Sequence, residues 1–160
     1  MRIAGRQIDL PRLTSWYGEP EAVHTYSGIR NVPLPWTSEL DELRRKVEAA
    51  SGASYNSVLL NLYRGGSDSM GWHADDERDI LQVIASLSLG APRTFQFRRK
   101  EPPRDMVSMR LGSGSLLVMK GDTQRHWVHR VPKEPAAGER INLTFRWVDP
   151  ARLAPLRRAS

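Results

Sequence analysis

Residues that can bind a metal or move a proton are concentrated in one short segment of the chain. His73 and Asp75 stand two positions apart in the segment 71–77, Gly-Trp-His-Ala-Asp-Asp-Glu. Side chains two positions apart leave the same face of an extended backbone, so this spacing suits two neighbouring ligands of one metal ion. The spacing by itself is weak evidence, because a solvated acidic turn would have a similar composition.

A second segment about fifty residues later contains two further histidines, His126 and His129, separated by Trp and Val. Taken alone, such a pair suits ordinary core or surface histidines. Together with His73 and Asp75, one of the two would complete a set of two histidines and one carboxylate. That ligand set is typical of non-haem ferrous oxygenases, although histidine and aspartate also bind zinc.

The last predicted strand alternates strictly between apolar and polar side chains. Its polar face consists of Arg140, Asn142, Thr144 and Arg146. An outer strand with one solvated face would show the same alternation. The two arginines, however, are six residues apart, roughly 20 Å along a strand, and both can lean inward to bind the two ends of a small dicarboxylate. A ferrous site beside such a clamp is what a 2-oxoglutarate oxygenase requires.

The elements that must position these residues are mostly strands. One clear helix is predicted, with Ser38 as its cap, Asp41 in a capping box and Gly52 at its end. Before residue 36 the pattern is irregular and indicates strands and loops. After the helix, turns rich in glycine and proline separate six predicted strands, at 55–63, 80–89, 93–99, 106–111, 115–120 and 139–148. This order favours an antiparallel sandwich or barrel.

Composition excludes several classes of protein. The 160 residues include no cysteine, which excludes a disulfide scaffold, an iron–sulfur protein, a cysteine zinc finger and a thiol enzyme. The longest stretch without a charge is 15 residues and polar, and no apolar leader is present, so we expect a soluble cytoplasmic monomer. A net charge of +6 suggests a polyanionic partner such as nucleic acid.

Taken together, these motifs resemble the AlkB family of iron- and 2-oxoglutarate-dependent dealkylases, especially its short nucleic-acid repair branch. The resemblance covers 17–148 and is carried by Asn61-x-Tyr63, Gly71-x-His73-x-Asp75-Asp76-Glu77, the run 85–90, Arg93-x-Phe95-x-Phe97-Arg98, Gly114-Ser-Leu-Leu, His126-Trp-x-His129 and Arg140-x-Asn142-Leu-Thr144-Phe-Arg146. It implies a mainly β (α+β) chain folded as a double-stranded β-helix, or jelly roll, with at least one supporting helix. We expect one dioxygenase domain at 1–149, with a lid and extension at 1–36, and a frayed basic tail at 150–160.

The resemblance also implies a role for each matching residue. His73, Asp75 and His129 are implied as the catalytic ligands of Fe(II), whereas His126 is implied to be structural. The cosubstrates are implied to be 2-oxoglutarate and O2. The residues implied to bind 2-oxoglutarate are Asn61, Tyr63, Arg140, Asn142, Thr144 and Arg146.

The region before the helix resembles the nucleotide-recognition lid of the repair branch. The implied substrate-binding residues are His24, Tyr26, Ser27, Asp76, Glu77 and Arg93. Tyr26 would stack on a base flipped out of the helix. The carboxylates of Asp76 and Glu77 would favour a cationic methylated base, such as 1-methyladenine or 3-methylcytosine.

The resemblance therefore implies oxidative demethylation of alkylated bases in single- or double-stranded DNA, or in RNA. One alternative is an oxygenase of the same fold that acts on tRNA, protein or lipid. Another is a basic binding module without catalysis, which the intact ligand set argues against. Six basic residues are candidate phosphate contacts, although each of them would also be explained as an ordinary solvated side chain. They are Arg6, Arg12, Arg93, Arg98, Arg99 and Lys100.

Overall fold

Short antiparallel strands are the main regular structure of the chain. The computed structural model describes residues 2–3, 6–7, 12–26, 29–77, 79–81 and 83–152, with only the backbone of 2–3, 6–7, 24–26, 29–31 and 150. The strands are β1 (Arg2–Ile3), β2 (Arg6–Gln7), β3 (Leu13–Gly18), β4 (His24–Tyr26), β5 (Ile29–Asn31), β6 (Ser57–Tyr63), β7 (Met70–His73), β8 (Ile84–Gly90), β9 (Arg93–Arg99), β10 (Met106–Leu111), β11 (Leu116–Met119), β12 (Trp127–Val131) and β13 (Arg140–Arg146). The helices are α1 (Ser38–Ser51), α2 (Thr123–His126) and a final 3-10 turn (Pro150–Arg152).

Two antiparallel sheets form the body of the fold and enclose a cavity between them. The major sheet has the strand order β11-β8-β13-β6-β3, and the minor sheet has the order β10-β9-β12-β7. This mainly β arrangement, with few helices, confirms the predicted jelly-roll class. No helix in the described part of the chain is both long and apolar enough to cross a bilayer.

Helix α1 packs against the side of the major sheet that faces away from the cavity. Its buried residues Leu40 and Val47 share a hydrophobic cluster with Val58 of β6 and Phe145 of β13. The alternating residues of β6 and β13 point to the opposite side. The helix therefore supports the sheet from behind and leaves its polar face free to line the cavity.

Both ends of helix α1 have a defined cap. The hydroxyl of Thr37 accepts a hydrogen bond from Leu40 N–H at 3.3 Å, so Thr37 is the N-cap and the prediction of Ser38 was wrong by one residue. A helix cap keeps an extended backbone, whereas Ser38 already belongs to the helix. Gly52 ends the helix as predicted, at a φ of 69° that favours glycine.

Two predicted strands begin later than their sequence suggests. Strand β6 begins at 57 rather than 55, because the Asn56 side chain bonds both the backbone oxygen and the backbone N–H of Val148, each at 2.8 Å. Strand β8 begins at 84 rather than 80, since Ile80 makes only an isolated bridge to Val148. Side-chain bonds of Asn56 thus replace the ladder before β6, and a single bridge precedes β8.

Strands β7 and β12 and helix α2 were not predicted. Both strands are short and interrupt their apolar residues with glycine, histidine or arginine, so neither shows a clear period. Their formation depends on pairing with each other and, for β12, with β9. These two unpredicted strands carry both histidines of the expected metal site.

We expect Gly66→Ala to destabilise the fold by about 3 kcal/mol or more, because the backbone of another segment occupies the space of its side chain. A Cβ at Gly66 would lie 1.6 Å from the backbone oxygen of Glu134. Urea or thermal unfolding measures the loss. Gly112→Ala is the matched control, since no atom lies within 4 Å of its Cβ position. Equal losses in the two variants would contradict the expectation.

Candidate active site

Neighbouring strands of the minor sheet bring the three expected metal ligands together. His73 at the end of β7 pairs directly with His129 in β12, and Asp75 follows two residues later. The potential ligand atoms of all three lie within 4.8 Å of one another. Two imidazoles and one carboxylate leave coordination positions open for other ligands, which is the arrangement of non-haem ferrous oxygenases.

Contacts around the ligands fix their orientation. His73 Nδ1 lies 2.8 Å from the backbone oxygen of Gly71, and the tautomer that donates this bond keeps the lone pair of Nε2 free. Asp75 Oδ2 pairs with Arg146 Nη2 at 2.8 Å, whereas Oδ1 lies 3.9 Å from His73 Nε2. Arg146 thus holds one carboxylate oxygen and leaves the other beside the histidines, as a metal ligand requires.

The protonation states of the buried ligands also suit a metal ion. Burial, reinforced by the neighbouring His73, lowers the pKa of His129 to about 4. Burial acts to raise the pKa of Asp75, but the charges of Arg146 and the two histidines outweigh it, so that this pKa lies below its ordinary value. At neutral pH, His129 is therefore neutral and Asp75 is ionised, and these are the forms that bind metals.

A buried glutamine supports Asp75 from helix α2. Gln124 Oε1 accepts a hydrogen bond from Asp75 N–H at 2.9 Å, and Gln124 Nε2 lies 3.4 Å from the Met119 sulfur. The backbone oxygen of Gln124 accepts a bond from Lys100 at 2.9 Å. The role of Gln124 was not predicted, because a single glutamine 49 positions from its partner forms no pattern in the sequence.

The polar residues of strand β13 face the cavity from the middle of the major sheet. All four are at most 7 % exposed: Arg140, Asn142, Thr144 and Arg146. Asn142 donates to Ser86 at 2.7 Å and accepts from Thr144 at 2.9 Å, and Arg140 Nη2 donates to Ser88 at 2.8 Å. The strand is therefore not a solvated outer strand. The alternating serines of β8 had no predicted role, although their spacing placed them on one face.

Some buried guanidinium nitrogens on β13 have no hydrogen-bond partner in the described part of the chain. They are Nε and Nη1 of Arg140 and Nε of Arg146. A buried cation without partners is costly, and burial lowers the pKa of Arg140. Carboxylates are the groups that best satisfy a guanidinium. The unpaired nitrogens therefore suit the carboxylate groups of a bound dicarboxylate such as 2-oxoglutarate.

Strand β6 contributes Asn61 and Tyr63 to the same cavity. Tyr63 pairs with Arg140 across the sheet, and Asn61 pairs with Asn142. The guanidinium carbons of Arg140 and Arg93 lie 5.2 and 5.3 Å from the centre of the Tyr63 ring. Burial raises the pKa of Tyr63 despite these nearby charges, so its phenol stays protonated and can donate a hydrogen bond to a carboxylate.

Arg12 lies in the cavity wall, whereas sequence analysis considered it as a phosphate contact. Its Nε donates to Asn61 Oδ1 at 2.7 Å. This bond directs the amide oxygen of Asn61 toward Arg12 and leaves the amide NH2 group available to a ligand. Arg12 thus acts on the expected cosubstrate site through Asn61.

Arg93 is fully buried, which corrects its assignment as a substrate or phosphate contact. Its Nη2 donates to the backbone oxygens of Asp68 at 2.8 Å and Pro132 at 2.7 Å. Its Nε pairs with Glu134 at 3.3 Å. Because these contacts occupy the guanidinium, Arg93 joins the turn after β6 to the segment after β12 and does not reach a bound strand.

The two acidic residues after Asp75 differ in their surroundings. Glu77 lines the cavity, and its buried Oε2 has no hydrogen-bond partner among the described residues. Asp76 does not line the cavity; its side chain is 58 % exposed and pairs with Lys100 at 2.9 Å. The contact of Asp76 with the substrate base therefore stays a prediction, and Glu77 is the acidic residue that lines the cavity beside the metal ligands.

The predicted nucleotide-recognition lid is described only in part. His24 and Tyr26 belong to β4, which pairs with β5, but their side chains are not among those described. Ser27 lies outside the described residues altogether. The substrate roles of these three residues stay predictions, as do the domain limits.

All nine residues expected to bind the metal and 2-oxoglutarate line one cavity of about 370 Å³. This volume is in the range of small-molecule sites. Apolar side chains, including Trp16, Met70 and Phe95, complete the wall. His126 is exposed on helix α2 and does not line the cavity, so it is not placed to join His73 and Asp75 as a ligand.

The chain is similar to known proteins over most of its length. The family model of the 2OG-Fe(II) oxygenase superfamily matches 3–146. Alpha-ketoglutarate-dependent dioxygenase alkB homolog 3 of Homo sapiens is 47% identical over 152 residues, and the match covers 88% of this chain and 52% of that protein. DNA oxidative demethylase ALKBH2 of Mus musculus is 37% identical, with coverages of 95% and 68%. The chain thus spans about half the length of its alkB homolog 3 relatives.

Proposed function

The chain belongs to the 2OG-Fe(II) oxygenase superfamily and, within it, to the AlkB family, and on this basis we propose that it oxidatively demethylates alkylated bases in DNA. One observation carries the proposal. A single cavity is lined by the ligand triad, by Arg140 and Arg146, and by Glu77, and the last three carry buried polar atoms that have no partner among the described residues. A metal, a dicarboxylate and a cationic substrate group would thus meet there.

The residues of this chain would bind and orient the reactants. His73, Asp75 and His129 would hold Fe(II), which when bound supplies the activation of O2 coupled to decarboxylation of 2-oxoglutarate. Arg140 and Arg146 would hold the carboxylates of the cosubstrate. The described walls of the cavity would limit the access of water to the reacting groups.

Glu77 would select the substrate base. A methylated ring nitrogen gives 1-methyladenine and 3-methylcytosine a positive charge that the normal bases lack. The buried Oε2 of Glu77, which has no hydrogen-bond partner among the described residues, can accept a bond from such a base. The methylated base must leave its helix to reach this depth, and a base that pairs badly does so at the least cost.

Oligonucleotides that contain 1-methyladenine, 3-methylcytosine or the neutral N6-methyladenine test the proposal. With Fe(II), 2-oxoglutarate and O2, the two cationic lesions should lose their methyl group and release formaldehyde, as measured by mass spectrometry on single and double strands. Absence of methyl loss from every oligonucleotide, while a tRNA, peptide or lipid is oxidised, would favour the alternative oxygenase of the same fold.

We expect Glu77→Gln to lower kcat/KM for 1-methyladenine by about 10- to 100-fold, the equivalent of a charge-assisted contact of about 1.5–3 kcal/mol. The KM for 2-oxoglutarate should stay unchanged. Asp76→Asn is the matched control, because Asp76 faces Lys100 and not the cavity. A larger loss in Asp76→Asn than in Glu77→Gln would show that the wrong carboxylate has been chosen.

We propose alkylated DNA as the partner because the ALKBH2 relatives are DNA demethylases by name and this chain carries a net charge of +6. Activity on RNA, a monomeric state and a cytoplasmic location are further proposals, for which composition is the only support. Light scattering of the purified chain and assays with methylated RNA test the first two, and localisation of a tagged chain tests the third.

A further inference from the structure

Two arginines stack on one tryptophan on the outer face of the minor sheet. The guanidinium carbons of Arg98 in β9 and Arg130 in β12 lie 4.5 and 4.4 Å from the centre of the Trp72 ring. We call these three residues the Arg–Trp–Arg cluster. Side chains alternate along a strand, so Trp72 faces away from its neighbour His73, and Arg130 faces away from His129.

The cluster combines positive charge with a fixed orientation. Among the described residues, no carboxylate pairs with Arg98 or Arg130, and Arg130 Nε donates only to the neutral Gln96 at 2.7 Å. Stacking on an indole holds the plane of a guanidinium while its N–H groups stay available at the edge. Two such cations on one ring repel each other, and a shared anion would relieve this repulsion.

The position of the cluster connects it with the active site. Trp72 directly precedes His73 and Arg130 directly follows His129, so the cluster lies on the outer side of the same two strands that carry the histidines. When a base enters the cavity, the phosphates on either side of it must stay outside. Guanidinium groups bind phosphates with two parallel hydrogen bonds, and such contacts position a strand without reading its sequence.

We propose that the Arg–Trp–Arg cluster is a phosphate-binding site that holds the backbone of the nucleic-acid strand next to the inserted base. The proposal rests on the proposed function, because it assigns the same nucleic acid to this surface. It also specifies which arginines act, since Arg93 is buried and Lys100 is paired with Asp76. The site is independent of sequence and is expected to bind a strand without a lesion.

Binding of a fluorescent 15-residue oligothymidylate, measured by anisotropy at several salt concentrations, tests the site without requiring turnover. Each of Arg98→Gln and Arg130→Gln should weaken binding about fivefold at 0.1 M salt. Each should also reduce the salt slope, which is the slope of log affinity against log salt concentration, by about 0.7, as expected for one phosphate contact with a single strand. The double variant should show both effects together. Trp72→Leu, which keeps both charges, should also weaken binding because the guanidiniums lose their support.

A variant that combines Arg45→Gln with Lys46→Gln is the matched control for lost charge. Both residues are exposed on helix α1, on the other side of the molecule, and each pairs with an acidic residue of the same helix. Equal affinity and salt slope in the wild type and the Arg98→Gln/Arg130→Gln variant would overturn the proposal, as would an equal loss in the control. Unchanged binding by Trp72→Leu would overturn the role of the stack.

Two further measurements separate this proposal from others. Turnover of a methylated nucleoside, which carries no phosphate, should be the same in the cluster variants and the wild type; a loss there would show that the variants damage the active site and would overturn the proposal. If the wild type demethylates nothing but the cluster variants still lose oligothymidylate binding, the proposed function fails and the phosphate site stands. Binding of poly-aspartate in preference to oligothymidylate would instead indicate an acidic protein partner.

Discussion

His73→Ala, Asp75→Ala and His129→Ala should each lower turnover by more than about 100-fold while the fold persists. Residues that merely support metal ligands typically contribute 10- to 100-fold to metal affinity or activity, so removal of a ligand should cost at least as much. The three ligand atoms lie within 4.8 Å of one another, and no other described group of three histidine or acidic residues is as close. The measurements are methyl release and, independently, the binding of Co(II) followed by its visible spectrum.

His126→Ala is the matched control for this experiment. His126 lies three residues before His129 and is exposed outside the cavity, so its loss should leave both metal binding and turnover unchanged. Circular dichroism checks that every variant is folded. Turnover that survives in His129→Ala but disappears in His126→Ala would show that the other histidine is the ligand.

Arg140→Met should raise the KM for 2-oxoglutarate by about 10- to 100-fold, because it removes a charge-assisted contact of about 1.5–3 kcal/mol. Its Nε and Nη1 are buried and have no partner in the described part of the chain, so a bound carboxylate is the group that would satisfy them. Co(II) affinity without cosubstrate should not change, since Arg140 has no contact with the ligand triad in the described structure. Steady-state kinetics and a metal titration measure the two quantities.

Arg146→Met should have a broader effect than Arg140→Met. Arg146 pairs with Asp75 Oδ2 at 2.8 Å, so its loss should weaken metal binding as well as raise the cosubstrate KM. Arg110→Met, in which a side chain 57 % exposed loses the same charge, is the control and should behave as the wild type. An unchanged KM in both cavity variants would exclude the arginine clamp.

The part of the fold that could be predicted from sequence is the part encoded by neighbouring residues. Helix α1 follows from its apolar spacing and from Gly52, and strands β9 and β10 have the predicted bounds because their alternation is regular. The candidate metal ligands could be found for the same reason. His73 and Asp75 are two residues apart, and a spacing this short survives into the folded chain.

Contacts between distant segments decided which of the candidate side chains reach the cavity, which are buried elsewhere and which lie at the surface. Glu77 and Asp76 are adjacent and chemically alike, yet only Glu77 lines the cavity, whereas Asp76 pairs with Lys100 at the surface. Arg93 and Arg98 are both arginines of strand β9, but backbone oxygens from two other segments bury the first, whereas the second stacks on Trp72.

The sequence by itself thus determined which chemical groups the protein possesses and on which face of each strand they lie, since both depend on residue type and on a period of two. It did not determine whether a face meets solvent, another sheet or a ligand. That choice depends on strand order and register, which arise from hydrogen bonds between residues far apart in the chain. Gln124 shows the consequence: only the packing of helix α2 beside Asp75 gives this residue its place at the metal site.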